Sequence, residues 1–162
     1  MDSSVTPDAF KAAMASFAAG VTVITAVDEA GVPYGLTATA FSSVSKTPPL
    51  CLVCVSRDAD AYPAITRSQR FAVNFLSSDQ QAVSATFATH GADKFAALSH
   101  RPGRATGCPL LDGALAAIEC EVSSVIPAGD HDVFIGAITG IVLGEGAPLV
   151  YFRGRYADVR QR

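Results

Sequence analysis

A small antiparallel β-barrel, closed or split, with helices on its flanks is the fold class this sequence predicts. Three observations predict it. First, about seven segments rich in β-branched and apolar residues are joined by short turn signals, not by long helical crossovers. Second, the longest of them, 131–143, carries Gly136 and Gly140 in its interior, where glycine marks a bulge or bend in a curving sheet. Third, no Gly-x-Gly-x-x-Gly and no Gly-x-x-x-x-Gly-Lys-Ser/Thr follows a strand, so the signatures of Rossmann and P-loop sheets are missing. With 162 residues, 49% hydrophobic and 17% charged, the chain suits one domain spanning 1–162.

The elements follow in order. Thr6-Pro7-Asp8 opens a helix, with Thr6 as cap, Pro7 at the first helical position and Asp8 at the positive end of the dipole. Phe10, Ala13, Met14 and Phe17 are spaced as one apolar face to cover a barrel end, and Gly20 is placed to end the helix in the left-handed conformation. Val21 to Val27 reads as a strand, and Asp28 to Gly31 as a hairpin loop leading into Tyr34 and the stretch from Gly35 to Val55. That stretch begins as a polar strand of small side chains, is stopped by Pro48-Pro49, and resumes as Leu50 to Val55, an apolar run expected to be buried on both faces. A short helix within 58–68 and a strand at Phe71 to Leu76 come next. Ser78-Asp-Gln-Gln81 reads as a capping box for a helix through Val83 and Phe87 that stops near Gly91, and Asp93 to Leu98 adds one more turn. Arg101 to Asp112 reads as the longest irregular and most mobile loop. Ile118, Cys120 and Val122 alternate with Glu119, Glu121 and Ser123, a strand with one wet face. A turn at Pro127 to Asp130, the long strand and a final strand at 148–152 complete the chain.

Composition excludes some functions. The net charge is −3 with no lysine or arginine block, so the electrostatic footprint of a nucleic-acid or anionic-membrane partner is missing. No apolar run approaches the ~18 residues of a spanning helix, and no basic-then-apolar leader opens the sequence, so a cytoplasmic protein is expected. Cys51 and Cys54 match Cys-x-x-Cys, but on a strand residues three apart point to opposite faces, and no second ligand pair completes a metal site. These thiols, with Cys108 and Cys120, are expected as reduced core residues and no metal is expected. Ser-His-Asp catalysis lacks a Gly-x-Ser-x-Gly elbow.

Three chemical signals remain. The Gly35 to Ser45 run lets backbone approach a flat ligand while offering N–H and O–H donors. His131 follows a Gly129-Asp130 turn, where it serves either a ligand or a bond to Asp130 or Asp132. Tyr151-Phe-Arg-Gly-Arg-Tyr156 pairs aromatic faces with two guanidinium groups.

Taken with Phe17-Ala-Ala-Gly-Val-Thr-Val-Ile-Thr25, Pro48-Pro-Leu50, Phe71-Ala-Val-Asn74 and Gly107-Cys-Pro-Leu-Leu111, these signals occur in the order found in the short-chain flavin reductases. The chain resembles that family over nearly its whole length. The resemblance implies an FMN-binding type of split barrel, mainly β, acting as a homodimer. It implies an NAD(P)H:flavin oxidoreductase that reduces FMN or FAD with NADH or NADPH as hydride donor and hands reduced flavin to a partner monooxygenase. By motif, Thr37, Ala38, Thr39 and Ala40 would line the isoalloxazine, with Ser56, Arg57 and Lys94 near the ribityl and phosphate region. His131 would meet the nicotinamide side and act in catalysis, and Arg153 and Tyr156 would complete the pocket. Thr39 replaces a common family asparagine, and Asp58-Ala-Asp60 replaces a serine-rich run, which puts carboxylates where a phosphate contact is expected. The alternatives are a flavin-carrying barrel without turnover and, less well matched at His131 and the C-terminus, an oxidase of the pyridoxamine-phosphate type.

Overall fold

The computed structural model describes residues 5–91 and 93–160. Helix α1 (Pro7–Ala15) starts as expected: the Thr6 hydroxyl accepts a hydrogen bond from the Ala9 amide at 3.2 Å, with Pro7 and Asp8 in the first turn. Its end differs from expectation, because Ser16 caps it and Gly20 lies in the short strand β1 (Ala19–Gly20) without a left-handed φ. Its packing differs too. No residue of α1 is buried, and Phe10, Met14 and Phe17 are 56%, 55% and 77% exposed, so the apolar stripe faces away from the barrel.

Strands β2 (Thr22–Val27) and β3 (Pro33–Ala38) form the predicted hairpin. Asp28 Oδ1 accepts from the amides of Ala30 and Val32 at 2.9 and 2.8 Å, and Gly31 turns the chain at φ +79°. Strands β4 (Phe41–Lys46) and β5 (Pro49–Ser56) form the next hairpin. The polar stretch is thus two strands, broken at Thr39-Ala40, where a single one was expected. Helix α2 (Tyr62–Ser68), strand β6 (Arg70–Phe75) and helix α3 (Gln81–Phe87) follow. The expected capping box is not formed at α3. Its cap is Gln80, whose side chain turns back to accept from the Ser77 amide at 3.0 Å, while the Ser77 hydroxyl donates to Asp79.

The segment expected as a mobile loop contains a two-stranded ribbon, β7 (His100–Pro102) and β8 (Pro109–Leu111). It is held by Glu119 of strand β9 (Ala116–Ala128), so the wet face expected there is exposed at Glu121 and Ser123 but not at Glu119. Glu119 is 4% exposed, and one of its oxygens accepts from the Ala105 and Thr106 amides at 3.0 and 2.7 Å and from the Thr106 hydroxyl at 2.8 Å. A buried carboxylate is stable only with such donors. Asn74 pins the same ribbon by accepting from the Leu111 amide and donating to the Pro109 carbonyl.

Strand β10 (His131–Leu143) shifts register against β9 at Ile135/Gly136 and at Ile138/Gly140, the bends that the interior glycines predict. A Cβ on Gly136 would lie 2.6 Å from the Phe71 ring and 2.9 Å from Cys120 Cβ, so only glycine lets the strand approach the core. Strands β11 (Val150–Phe152) and β12 (Arg155–Ala157) close the chain as a ribbon with β1, and β12 is not anticipated by the sequence pattern.

The main sheet is antiparallel, in the order β3-β2-β6-β9-β10-β5-β4. Its two edge strands, β3 and β4, are consecutive in the chain, so the two residues between them draw the edges together. The Cys54 amide donates to the Ala40 carbonyl at 3.1 Å, which carries the β4–β5 ladder one residue into this connection. The interior holds Phe71, Phe134, Ile24, Val53, Val55 and Val73, all with 0% exposure. Each such side chain contributes about 1.5–3 kcal/mol of transfer free energy. Leu50, Leu52 and Cys54 are only half-buried, while Cys51, Val53 and Val55 are buried, so β5 alternates and is not covered on both faces as expected.

Candidate functional site

A cleft of about 910 Å³ opens beside the barrel, between the entry to β3, the loop after β5 and the segment around Lys94. Val32 to Gly35, Arg57 to Asp60 and Asp93 to Ala96 form its walls. The size is within the range of cofactor pockets. Gly35 is obligatory in its wall, since a Cβ there would stand 2.5 Å from the ring of Phe87 on α3.

The two cations of the cleft are both engaged. Lys94 is buried, with Nζ donating to the Gly35 carbonyl at 3.2 Å and lying 3.6 Å from Asp60. Asp60 also accepts from the Gly91 amide at 2.9 Å and faces His90 at 3.5 Å. The Gly91 N–H, with His90 and Lys94, holds the Asp60 carboxyl below the usual carboxylate range. Arg57 forks onto Asp132 Oδ1 through Nε at 3.0 Å and Nη2 at 2.5 Å, and donates from Nη1 to the Gly129 carbonyl at 2.9 Å. Tyr62 donates its hydroxyl to the other Asp132 oxygen at 2.5 Å. The Arg57 guanidinium and then the Tyr62 hydroxyl hold the Asp132 carboxyl low, and Asp132 in turn raises Arg57.

The remaining sequence-predicted residues lie outside the walls of this cleft. Ser56 and His131 are register partners on β5 and β10, one residue from Arg57. His131 Nδ1 lies 2.8 Å from Asp130, which has its carboxyl lowered by that imidazole, while Asp132 is committed to Arg57 and Tyr62. Thr37 and Ala38 continue β3 beyond Gly35, and the Thr37 hydroxyl donates to the Ser84 carbonyl at 2.6 Å. Its hydroxyl proton is therefore taken within the fold. Thr39 and Ala40 are exposed at the barrel seam. Tyr156 donates to Ser84 Oγ at 2.9 Å, so Ser84 on α3 joins the C-terminal ribbon to Thr37. Arg153 is exposed, stacks 5.2 Å above the Phe152 ring and anchors its amide on the Ala15 carbonyl. Only Arg57 and Lys94 of the predicted set form walls of the cleft itself.

Asp132, Tyr62 and Ser84 were not singled out from sequence as members of the site. For Asp132 a signal exists: it shares the inward face of β10 with Phe134 and Gly136, and a carboxylate on a core face requires partners. Ser84 carries no comparable mark. Cys51, Cys108 and Cys120 are buried in the core, whereas Cys54, expected there too, is only half-buried. Cys51 and Cys120 lie with sulfurs 3.6 Å apart, the neighbouring thiol and burial push Cys120 up, and burial pushes Cys108 and Cys54 up.

Known proteins resemble this chain in sequence and in fold. A protein of Rhizobium meliloti is 45% identical over 154 residues, covering 95% of this chain, and this chain spans 49% of its length. The flavin-dependent monooxygenase reductase subunit HsaB of Mycobacterium tuberculosis is 37% identical over 162 residues, covering 98% of this chain and 86% of that one. The structure of the NADH:FAD oxidoreductase SgcE6 of Streptomyces globisporus, in complex with NAD and FAD fragments, superposes with a TM-score of 0.89 at 32% identity, covering 94% and 92% of the two chains. The barrel of this chain is thus of the flavin reductase split-barrel type. The flavin reductase like domain model matches residues 14–160, and the chain belongs to that family.

Proposed function

We propose that the chain is an NAD(P)H:flavin oxidoreductase that reduces FMN or FAD and passes the reduced flavin to a separate monooxygenase. The observation that carries the reading is the cleft, because it draws the β3 entry, the Arg57 loop and the Lys94 segment into one cofactor-sized space. The residues around it fit a flavin. The small side chains of Thr37 to Ala40, at the edge of the sheet, suit the close approach of a planar ring, and two guanidinium N–H groups of Arg57 remain for ribityl or phosphate oxygens. Flavin, when bound, supplies the hydride-accepting chemistry.

The chain's own task is positioning. Thr37, Ala38, Thr39 and Ala40 orient the ring, and Ser56, Arg57 and Lys94 hold the ribityl and phosphate end. His131 seats the nicotinamide, while Arg153 and Tyr156 fill the remaining side. Asp60 offsets the charge of Lys94, so a phosphate in this cleft relies on Arg57 and backbone donors more than on the lysine. The active unit is a homodimer in one domain per chain. Exposed Phe10, Met14, Phe17, Ile141 and Leu143 support that reading, since so much apolar surface is costly to leave in water. No helix among the described residues is long and apolar enough to cross a membrane, and the cytoplasm is proposed as the compartment that supplies the nicotinamide donor.

The experiment is steady-state loss of nicotinamide absorbance with NADH or NADPH and each of FMN, FAD and riboflavin. Flavin-dependent oxidation is expected. A chain that binds flavin and leaves both nicotinamides unoxidised would instead be the non-catalytic carrier.

A further inference from the structure

The loop that walls the cleft and the turn that carries His131 are fastened to each other by one buried carboxylate. Asp132 is 5% exposed and accepts three hydrogen bonds, two from Arg57 and one from Tyr62. Arg57 adds two more ties to the turn, from Nη1 to the Gly129 carbonyl and from its amide to the Asp130 carbonyl at 3.2 Å. The Tyr62 ring is itself packed edge-on against Phe134 at 5.9 Å, so the phenol is seated on the core. Three of the five guanidinium N–H groups are consumed and two are left, on a side chain that is 44% exposed and belongs to a residue lining the cleft. Charge alone does not explain this arrangement, since a surface pair would not need a buried acceptor with both oxygens occupied.

We propose that Asp132, with Tyr62, is a positioning residue for both halves of the reaction. It aims the free N–H groups of Arg57 at the flavin and fixes the turn that presents His131 to the nicotinamide. This rests on the flavin reductase reading above. A loose Arg57 would loosen the loop 57–60 and the turn 129–132 together, because each holds the other.

The test compares wild type, Asp132→Asn, Tyr62→Phe, His131→Ala and the Asp132→Asn/His131→Ala double variant. Flavin Kd is read by quenching of flavin fluorescence, NADH KM and kcat by turnover, and melting temperature by circular dichroism, with binding and kinetics taken well below every melting point. Asp132→Asn is expected to raise both flavin Kd and NADH KM about tenfold, while His131→Ala moves NADH parameters alone. The double variant should fall short of additivity in NADH KM, because both changes disturb one turn. Tyr62→Phe should shift Kd and KM the same way, about threefold. A lowered melting temperature with flavin Kd and NADH KM at wild-type values would make Asp132 a purely structural residue and overturn the proposal. If Asp132→Asn fails to fold, wild-type values in Tyr62→Phe overturn it. A wild-type chain that binds flavin without oxidising NADH rejects the reductase reading, yet the Kd comparison still decides the Asp132–Arg57 part. A wild-type chain that binds no flavin overturns both.

Discussion

At the residue scale, His131 and Gly136 make separate demands on the same strand. The imidazole lies 2.8 Å from Asp130 and is 43% exposed, so it is oriented by its neighbour while still open to a ligand. His131→Ala should leave flavin affinity and fold intact and lower kcat/KM for NADH about tenfold, equivalent to ~1.4 kcal/mol, the worth of one lost contact. Stopped-flow and steady-state kinetics check this, and unchanged NADH kinetics would return His131 to a hairpin role. Gly136 answers to the core. Gly136→Ala must displace the fully buried Phe71 ring or the Cys120 side chain, a crowding cost of about 1–3 kcal/mol. Thermal denaturation should show a drop of several degrees, and an unchanged melting point would mean that the strand relaxes freely.

At the scale of elements, sequence showed which residues share a face more readily than what covers that face. Alternation placed Glu119 opposite Ile118 and Cys120 correctly, yet of the side read as wet Glu121 and Ser123 are exposed while Glu119 lies under the segment joining β7 to β8. The apolar stripe of α1 was legible from Phe10, Met14 and Phe17, but spacing does not say whether the barrel or something else meets it. The Asp28 hairpin and the bends at Gly136 and Gly140 were legible because turn and bulge chemistry is local. Asp132 was not, because its partners lie 75 and 70 positions away. Its clasp gives a pH prediction. The carboxyls of Asp132, Asp60 and Asp130 are all held low in the fold, so each contributes stability above its unfolded pKa of about 4 that is lost as pH falls through the folded value. Stability should therefore decline below pH ~4, and Asp132→Asn should lessen that decline. Denaturation midpoints across an acid series check it, and parallel curves for the two proteins would contradict the clasp.

For the whole molecule, barrel closure explains why the candidate site residues are scattered in sequence. Placing β3 and β4 at opposite sheet edges puts Thr37 to Ala40 on the seam, and the loop after β5 and the Lys94 segment wall the cleft beside it. Seven ordered motifs made the family legible, whereas the commitment of Thr37 to Ser84 and of Lys94 to Asp60 is visible only in three dimensions. The exposed apolar surface of α1 and the far half of β10 belongs to this scale. Light scattering is expected to give twice the chain mass, with Phe17→Asp shifting it toward a monomer; a monomer mass for the wild type at flavin saturation would reject the dimer.

A reductase turns flavin over, whereas a carrier only holds it. Anaerobic mixing of the chain with flavin and NADH, followed at the flavin and nicotinamide bands together, separates the two most directly. Flavin colour is expected to bleach as NADH is consumed, one for one, at rates the chain accelerates and His131→Ala slows. Bound flavin that keeps its colour in the presence of excess NADH and NADPH would contradict turnover.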